Sequence, residues 1–427
     1  MLDLKLLRQE PDLVRAALRA RGLDPALVDR ILTVDRRRRE LLQGTEALRA
    51  DQKRRSGEIA RLRGAEQEEH IAAARELSDQ VRRQEEALRV IEAELDPLLR
   101  ALPNLPDASV PVGPDPSANV VVRTWGTPPA LGFPPRDHVD LGLRLGILDL
   151  ERGAKVAGSR FYFLIGEGAL LEMALMRYAL DFVLARGFLP LITPFLVKPE
   201  VITGAWGGAG LDTQQTYRMA DDDLALIGTS EQSLAGYHMD EILEAERLPI
   251  RLAGLSWCFR REAGSYGREI RGLYRVHQFD KVEMFSYCHP EHSWAEHEFL
   301  LATEEALLQS LGIPYRVVLL CTGDLGQSSA KTYDIEAWLP GRGEYGEVTS
   351  CSNTTDFQAR RLRIRFRPGR GGGTEYVHTL NGTALATSRM LIAVLENYQQ
   401  ADGTIRLPEV LAPYLGGRVL LRPPNAP

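Results

Sequence analysis

Residues 259–285 read FRREAGSYGREIRGLYRVHQFDKVEMF. The reading is strand, loop, strand: the run 256–259 enters, a glycine-rich stretch at 263–272 turns, and 276–287 returns. Arg260 and Arg275 stand at the two ends of the loop, so two strands of one hairpin would aim both side chains at one site. The guanidinium is a planar, permanently charged fork that pairs with phosphate oxygens. No GxGxxG and no GxxxxGK[ST] occurs in the chain, so any polyphosphate would have to be held by side chains rather than by a backbone loop. One arginine alone reads most simply as a solvated surface charge; two, framing a loop in this way, do not.

Outward from this hairpin, strand candidates recur at 159–165, 189–192, 224–226, 315–320, 333–338 and 346–350. A helix is expected at 168–186. Several strands alternate apolar and polar residues and follow one another without a helix between them, which argues for an antiparallel sheet flanked by helices rather than a doubly wound parallel one.

The first hundred residues have a different texture, rich in Leu, Ala, Arg and Glu and poor in Gly, aromatic and β-branched residues. Ala74, Leu77, Val81, Gln84, Leu88, Ile91, Leu95 and Leu98 recur in steps of three and four, the seam of a helix packed along a partner. Leu41, Leu48 and Leu62, with Ile59, supply the partner, and Gly64 marks the reversal. The expectation is an antiparallel hairpin of about 25 to 30 residues per arm, roughly 40 Å long at 1.5 Å per residue. Residues 103–135 then hold nine prolines and read as extended linker. The expected organisation is a helical arm at 1–102, a linker at 103–137 and an α+β domain at 138–427.

The chain has 427 residues, 44% hydrophobic and 26% charged, with a formal net charge of -6. These are ordinary values for a globular protein, and the net charge excludes a generally basic nucleic-acid binder. Any RNA contact must come from local patches. Cys258, Cys288, Cys321 and Cys351 form no CxxC pair, so they read as reduced thiols of a cytoplasmic protein rather than as a zinc ribbon. The opening MLDLKLLRQEPDLV lacks the apolar run of a signal peptide, and no membrane span is expected.

The string at 259–285 resembles motif 2 of the class II aminoacyl-tRNA synthetases, and its wording resembles the bacterial seryl-tRNA synthetase family in particular. The resemblance extends through KVAGSRFYFL (155–164), GTSEQSLAGYH (228–238), YDIEAWLPGRGEYGEVTSCSNTTDFQARR (333–361), HTLNGTALATSRMLIAVLENYQ (378–399) and IRLPEVLAPYLGG (405–417). Together with the arm it spans essentially the whole chain, and five ordered blocks are a far stronger signal than any single motif.

The resemblance implies a class II catalytic domain that activates L-serine with ATP and Mg²⁺ and transfers it to the 3′ end of serine tRNA, with selenocysteine tRNA a second candidate. Arg260 and Glu262 would engage ATP, Arg275 the distal phosphates and Phe279 the adenine, with Arg261 and Val276 beside them. Glu347 and Ser350, in the run Glu347, Val348, Thr349, Ser350, would hold the Mg²⁺, and Arg389 would cover the other adenine face. Thr229, Ser230, Glu231, Glu283 and Thr383 would form the serine pocket, with Asn381 orienting it. The segment around 187–196, which includes Pro194, resembles motif 1 and implies a homodimer. A ligase that loads a carrier protein would lack the long arm. An interaction protein with a degenerate catalytic domain would have lost some of Arg260, Glu262, Arg275, Glu347 and Arg389, and all five are present.

Residues 36–63 carry ten basic against four acidic side chains. Basic residues are common on a solvated hairpin, yet such an excess suits a phosphate backbone. The family's arm grips the long variable arm of serine tRNA, and Arg49, Lys53 and Arg54 are the contacts expected. Cys288, His289, His292 and His297 cluster in sequence, but the Pro and acids among them read as a helix start. His277 is expected to be structural.

Overall fold

The computed structural model describes residues 1–263, 272–369 and 372–423. Most of the expected loop at 263–272 therefore lies outside the described residues. Two compact units emerge, one of Leu2–Leu102 and one of Pro103–Pro427 with Met1.

In the smaller unit, α1 (Leu4–Gln9) and α2 (Pro11–Ala20) precede two long helices, α3 (Ala26–Ile59) and α4 (Ala65–Ala101). These run longer than the expected 25 to 30 residues: α3 continues through Gly44 and Gly57, and α4 continues past Pro97 in its last turns. Gly64 caps α4 at φ +68°, a backbone region closed to most side chains. Of the predicted seam, Leu77, Val81, Ile91 and Leu95 are buried, joined by Leu99. Gln84 makes a polar layer: its Oε1 lies 3.3 Å from Thr45 Oγ1 and against Gly44, where a Cβ would come within 3.0 Å. At the base, both nitrogens Nε and Nη2 of Arg8 reach the buried carboxylate of Asp35 at 2.7 Å, tying α1 to α3.

The larger unit is built on an eight-stranded sheet. In chain order its strands are β1 (Val120–Trp125), β2 (Leu189–Ile192), β3 (Ile250–Phe259), β4 (Gln278–Cys288), β5 (Tyr315–Leu319), β6 (Lys331–Leu339), β7 (Glu344–Asn353) and β8 (His378–Ala386). Their spatial order is β1-β5-β6-β7-β8-β4-β3-β2. Every pairing is antiparallel except that of β2 with β3. Residues 103–137 lie within this unit, extended as their prolines require, and β1 among them pairs with β5. The strand expected at 159–165 shrinks to Phe163–Leu164.

Helices α5 (Glu167–Leu184), α8 (Ser293–Ser310) and α10 (Thr387–Asn397) contribute to the main buried cluster with Val282, Met284 and Cys288 of β4. The opposite side chains of β4 divide. Phe285 and Tyr287 join a second cluster with residues of the short helices α6 (Pro199–Trp206), α7 (Ser230–Ala235) and α9 (Phe357–Leu362), whereas Phe279 and Lys281 border a cavity. One strand thus serves both core and site through its two-residue period.

Candidate functional site

The cavity has a volume of about 640 Å³ and collects residues from β4, β7, β8, α6, α7 and α10 and from connecting segments, among them the one that follows β3. Of the residues singled out in the sequence, Thr229, Glu231, Arg260, Glu262, Arg275, Val276, Phe279, Glu347, Val348, Thr349, Ser350, Asn381, Thr383 and Arg389 line it. Positions scattered over 160 residues of chain meet because the sheet order sets β7, β8, β4 and β3 side by side.

At one end the wall is cationic. Arg260 and Arg275 lie just beyond the ends of β3 and β4, not within the strands. The base of that hairpin is closed by Arg260 N–H donating to the His277 carbonyl at 3.0 Å. His277 Nδ1 donates back to the Arg260 carbonyl at 2.8 Å, a structural role. The Arg260 guanidinium sits 5.3 Å from the centre of the Phe279 ring, and Arg275 Nη1 lies 3.4 Å from Glu262 Oε2. From α10, Arg389 reaches Glu347 Oε1 at 2.7 Å and its carbonyl at 3.1 Å, and lies over the Tyr274 ring at 4.8 Å. Burial pushes the Glu347 carboxyl upward, but Arg389, with Arg260 and Arg275, outweighs it and holds it below the usual value. Asp334 faces Ser350 across the β6–β7 ladder. Its Oδ1 is buried without a hydrogen-bond partner among the described residues, and burial together with the Glu347 charge holds its carboxyl well above the usual value. Glu347 and Ser350 give this wall the oxygen donors that a hard cation takes, with Asp334 beside Ser350 in the neighbouring strand.

At the other end the wall is acidic. Glu231 follows Thr229, whose hydroxyl caps α7 by accepting from Glu231 N–H at 3.2 Å. Burial raises the Glu231 carboxyl to about 7, with the charge of Glu283 adding to the effect. Glu283 and Thr383 are directly opposed in the β4–β8 ladder, and the Thr383 hydroxyl donates to Glu283 Oε2 at 3.2 Å. Asn381 Nδ2 donates to Glu283 Oε1 at 3.2 Å.

Three expected residues do not reach the cavity. Glu283 is fully buried behind Lys281, whose Nζ approaches it to 2.5 Å and stands 3.3 Å from Thr383 Oγ1. Ser230 is buried on α7, its hydroxyl donating to the Gly254 carbonyl at 3.3 Å. Arg261 turns away to donate to the Thr213 carbonyl at 2.6 Å. Lys281, Tyr274 and Trp206 line the cavity without having been anticipated. For Lys281 the signal was there: Phe279, Lys281 and Glu283 share one face of a strand by simple alternation.

Elsewhere, burial holds His297 at about 4, and its Nε2, 3.0 Å from the Cys351 carbonyl, must carry the ring proton. Among the described residues no group of three His, Cys, Asp or Glu side chains could hold a metal. In the helical unit, Arg49 pairs with Glu85 at 2.6 Å, Arg54 pairs with Asp51, and Lys53 is exposed. The basic excess of α3 is partly met by α4, which carries ten acidic against five basic side chains: Arg37 and Arg38 also reach Glu94 and Glu92.

Comparison with known proteins agrees with this architecture. The model of the seryl-tRNA synthetase N-terminal domain matches residues 1–106, and that of the tRNA synthetase class II core domain (G, H, P, S and T) matches 215–398. A serine–tRNA ligase of Nocardia farcinica is 51% identical over 424 residues, covering 99% of this chain and all of the relative. The crystal structure of seryl-tRNA synthetase from Pyrococcus horikoshii complexed with ATP superposes with a TM-score of 0.93 at 43% identity, covering 99% of this chain and 100% of that one. The cytoplasmic serine–tRNA ligase of Naegleria fowleri in complex with AMP gives 0.88 at 35% identity, covering 100% and 99%.

Proposed function

The chain belongs to the seryl-tRNA synthetase family, and from that premise we propose that it activates L-serine with ATP and transfers it to serine tRNA. The observation that carries the reading is the single cavity with arginines at one end and a buried carboxylate at the other. A triphosphate suits the first and an amino acid's ammonium the second.

In the first step an oxygen of the serine carboxylate attacks the α-phosphorus of ATP, a new P–O bond forms, and the bond to the bridging oxygen breaks as pyrophosphate leaves. Arg260 faces the α-phosphate, where charge builds, and Arg275 holds the departing phosphates. Phe279 and Arg389 take the two faces of adenine. Glu231 receives the serine ammonium, and Thr383 with Glu283 behind it exchanges hydrogen bonds with the hydroxyl. No side-chain nucleophile is needed, because alignment and charge stabilisation suffice. In the second step the 3′-terminal hydroxyl of the tRNA attacks the adenylate carbonyl, and AMP departs.

Glu347 and Ser350 would hold Mg²⁺, an oxygen donor set that suits it; when bound it neutralises phosphate charge. The arm, through Arg49, Lys53 and Arg54, contacts the variable arm of the tRNA. The exposed face around β2 and α5, which includes Leu189, Ile192 and Met173, forms the contact of a homodimer. No described helix is long and apolar enough to cross a membrane.

The test is serine-dependent ATP–pyrophosphate exchange, with and without Mg²⁺, paired with charging of serine tRNA. Exchange stimulated by serine but not by threonine or alanine is expected. Folded protein that exchanges with none of them overturns the reading.

A further inference from the structure

We propose that Gln358 and Trp206 are positioning residues for Glu231: each holds one carboxylate oxygen with an uncharged donor, and together they set its direction and its readiness to take the amino acid's ammonium. The inference rests on the reading of that end of the cavity given above.

Gln358, on α9, is fully buried. Its Nε2 lies 2.8 Å from Glu231 Oε1 and 2.9 Å from the Ala205 carbonyl. The amide orientation follows from its neighbours, since the flipped form would put an oxygen against a carboxylate and a carbonyl. Trp206, at the end of α6, points its indole Nε1 at Glu231 Oε2 from 3.3 Å. The indole is pressed against Gly228, where a Cβ would come within 2.5 Å of the ring. Three helices far apart in sequence, α6, α7 and α9, therefore converge on one carboxylate.

The choice of donors matters. Glu231 is bonded to no cation among the described residues; the charged groups that bear on it are Glu283 and Lys281 of β4, acting in opposite directions. An arginine in place of Gln358 would satisfy the carboxylate and compete with the incoming ammonium. Neutral donors orient it and leave its charge to be met by substrate. Burial and Glu283 lift the carboxyl to about 7, and Lys281, Trp206 and Gln358 pull it back. Loss of either donor removes part of that pull, so the carboxyl of the variant rises further. The ionised form that binds an ammonium is then lost at a higher pH.

The experiment measures kcat/KM for serine in ATP–pyrophosphate exchange from pH 6 to 9 for the wild type, Gln358→Met and Trp206→Phe. Wild-type kcat/KM should rise with pH through an inflection near the value of about 7. Each variant should inflect about one pH unit higher, with serine KM raised about fivefold at pH 7 and the deficit against wild type closing by pH 9, while the KM for ATP stays unchanged. A deficit constant across the pH range, or equal losses for both substrates, would mean a purely structural role and overturn the proposal. Trp206→Phe keeps the ring body and carries the same readout if Gln358→Met fails to fold. Absence of serine-dependent exchange in the wild type is a different result, sinking the reading of the whole site.

Discussion

The pair formed by Lys281 and Glu283 shows how the site is held from behind. Glu283 is fully buried and Lys281 nearly so, 2.5 Å apart, and removing one partner of such a pair strands the other charge in a poor solvent. Lys281→Met should therefore destabilise the protein by about 3 kcal/mol, read as a lowered Tm. Adding Glu283→Gln should restore most of that loss, because the amide needs no counter-charge. Additive losses in the double variant would deny the coupling. Arg260 and Arg275 were legible from spacing alone, as two arginines framing one loop, whereas Phe279 and Glu347 entered only through the family resemblance; all four line the cavity. Gln358 was not legible: it stands 127 positions from Glu231, and nothing in a linear pattern joins a glutamine on one short helix to a glutamate on another. That Glu283 would face inward behind Lys281 was equally a matter of packing.

At the level of elements, the helical seam was the clearest feature of the sequence, because an apolar stripe with steps of three and four has one physical meaning. Leu95 is 4% exposed in that seam, so Leu95→Ala should cost about 2 to 4 kcal/mol. The loss should appear as early helix melting by circular dichroism, with serine-dependent exchange retained and tRNA charging reduced. Equal loss of both activities would contradict the division of labour. Strands were harder to read. β8 carries HTLNGTALA, where buried threonines and glycine blur the alternation that marks a strand. β1 hid in a proline-rich stretch, since its partner β5 lies about 190 residues on and an edge strand leaves little local trace.

For the whole molecule, the fold class was legible because strands without intervening helices admit few sheets other than antiparallel ones. The exception is instructive: β2, at the sheet edge, pairs in parallel with β3, and Ile192 at its end is 87% exposed. A side chain so open contributes little to its own chain's stability, and an apolar edge invites a second copy. Ile192→Asp should give a monomer by light scattering with an unchanged far-ultraviolet spectrum. A wild-type chain that is already monomeric at micromolar concentration would remove the homodimer from the proposal.

Strand β4 leaves little freedom to the gene that encodes it. Its odd-numbered residues from Phe279 to Tyr287 furnish the site and then one core, and Val282, Met284 and Cys288 furnish the other. Substitutions there can be graded, but a single codon added or deleted would exchange the two sets, sending Lys281 and Glu283 into oil and Val282 and Met284 into the cavity. Evolution can vary the letters of this segment far more easily than its reading frame.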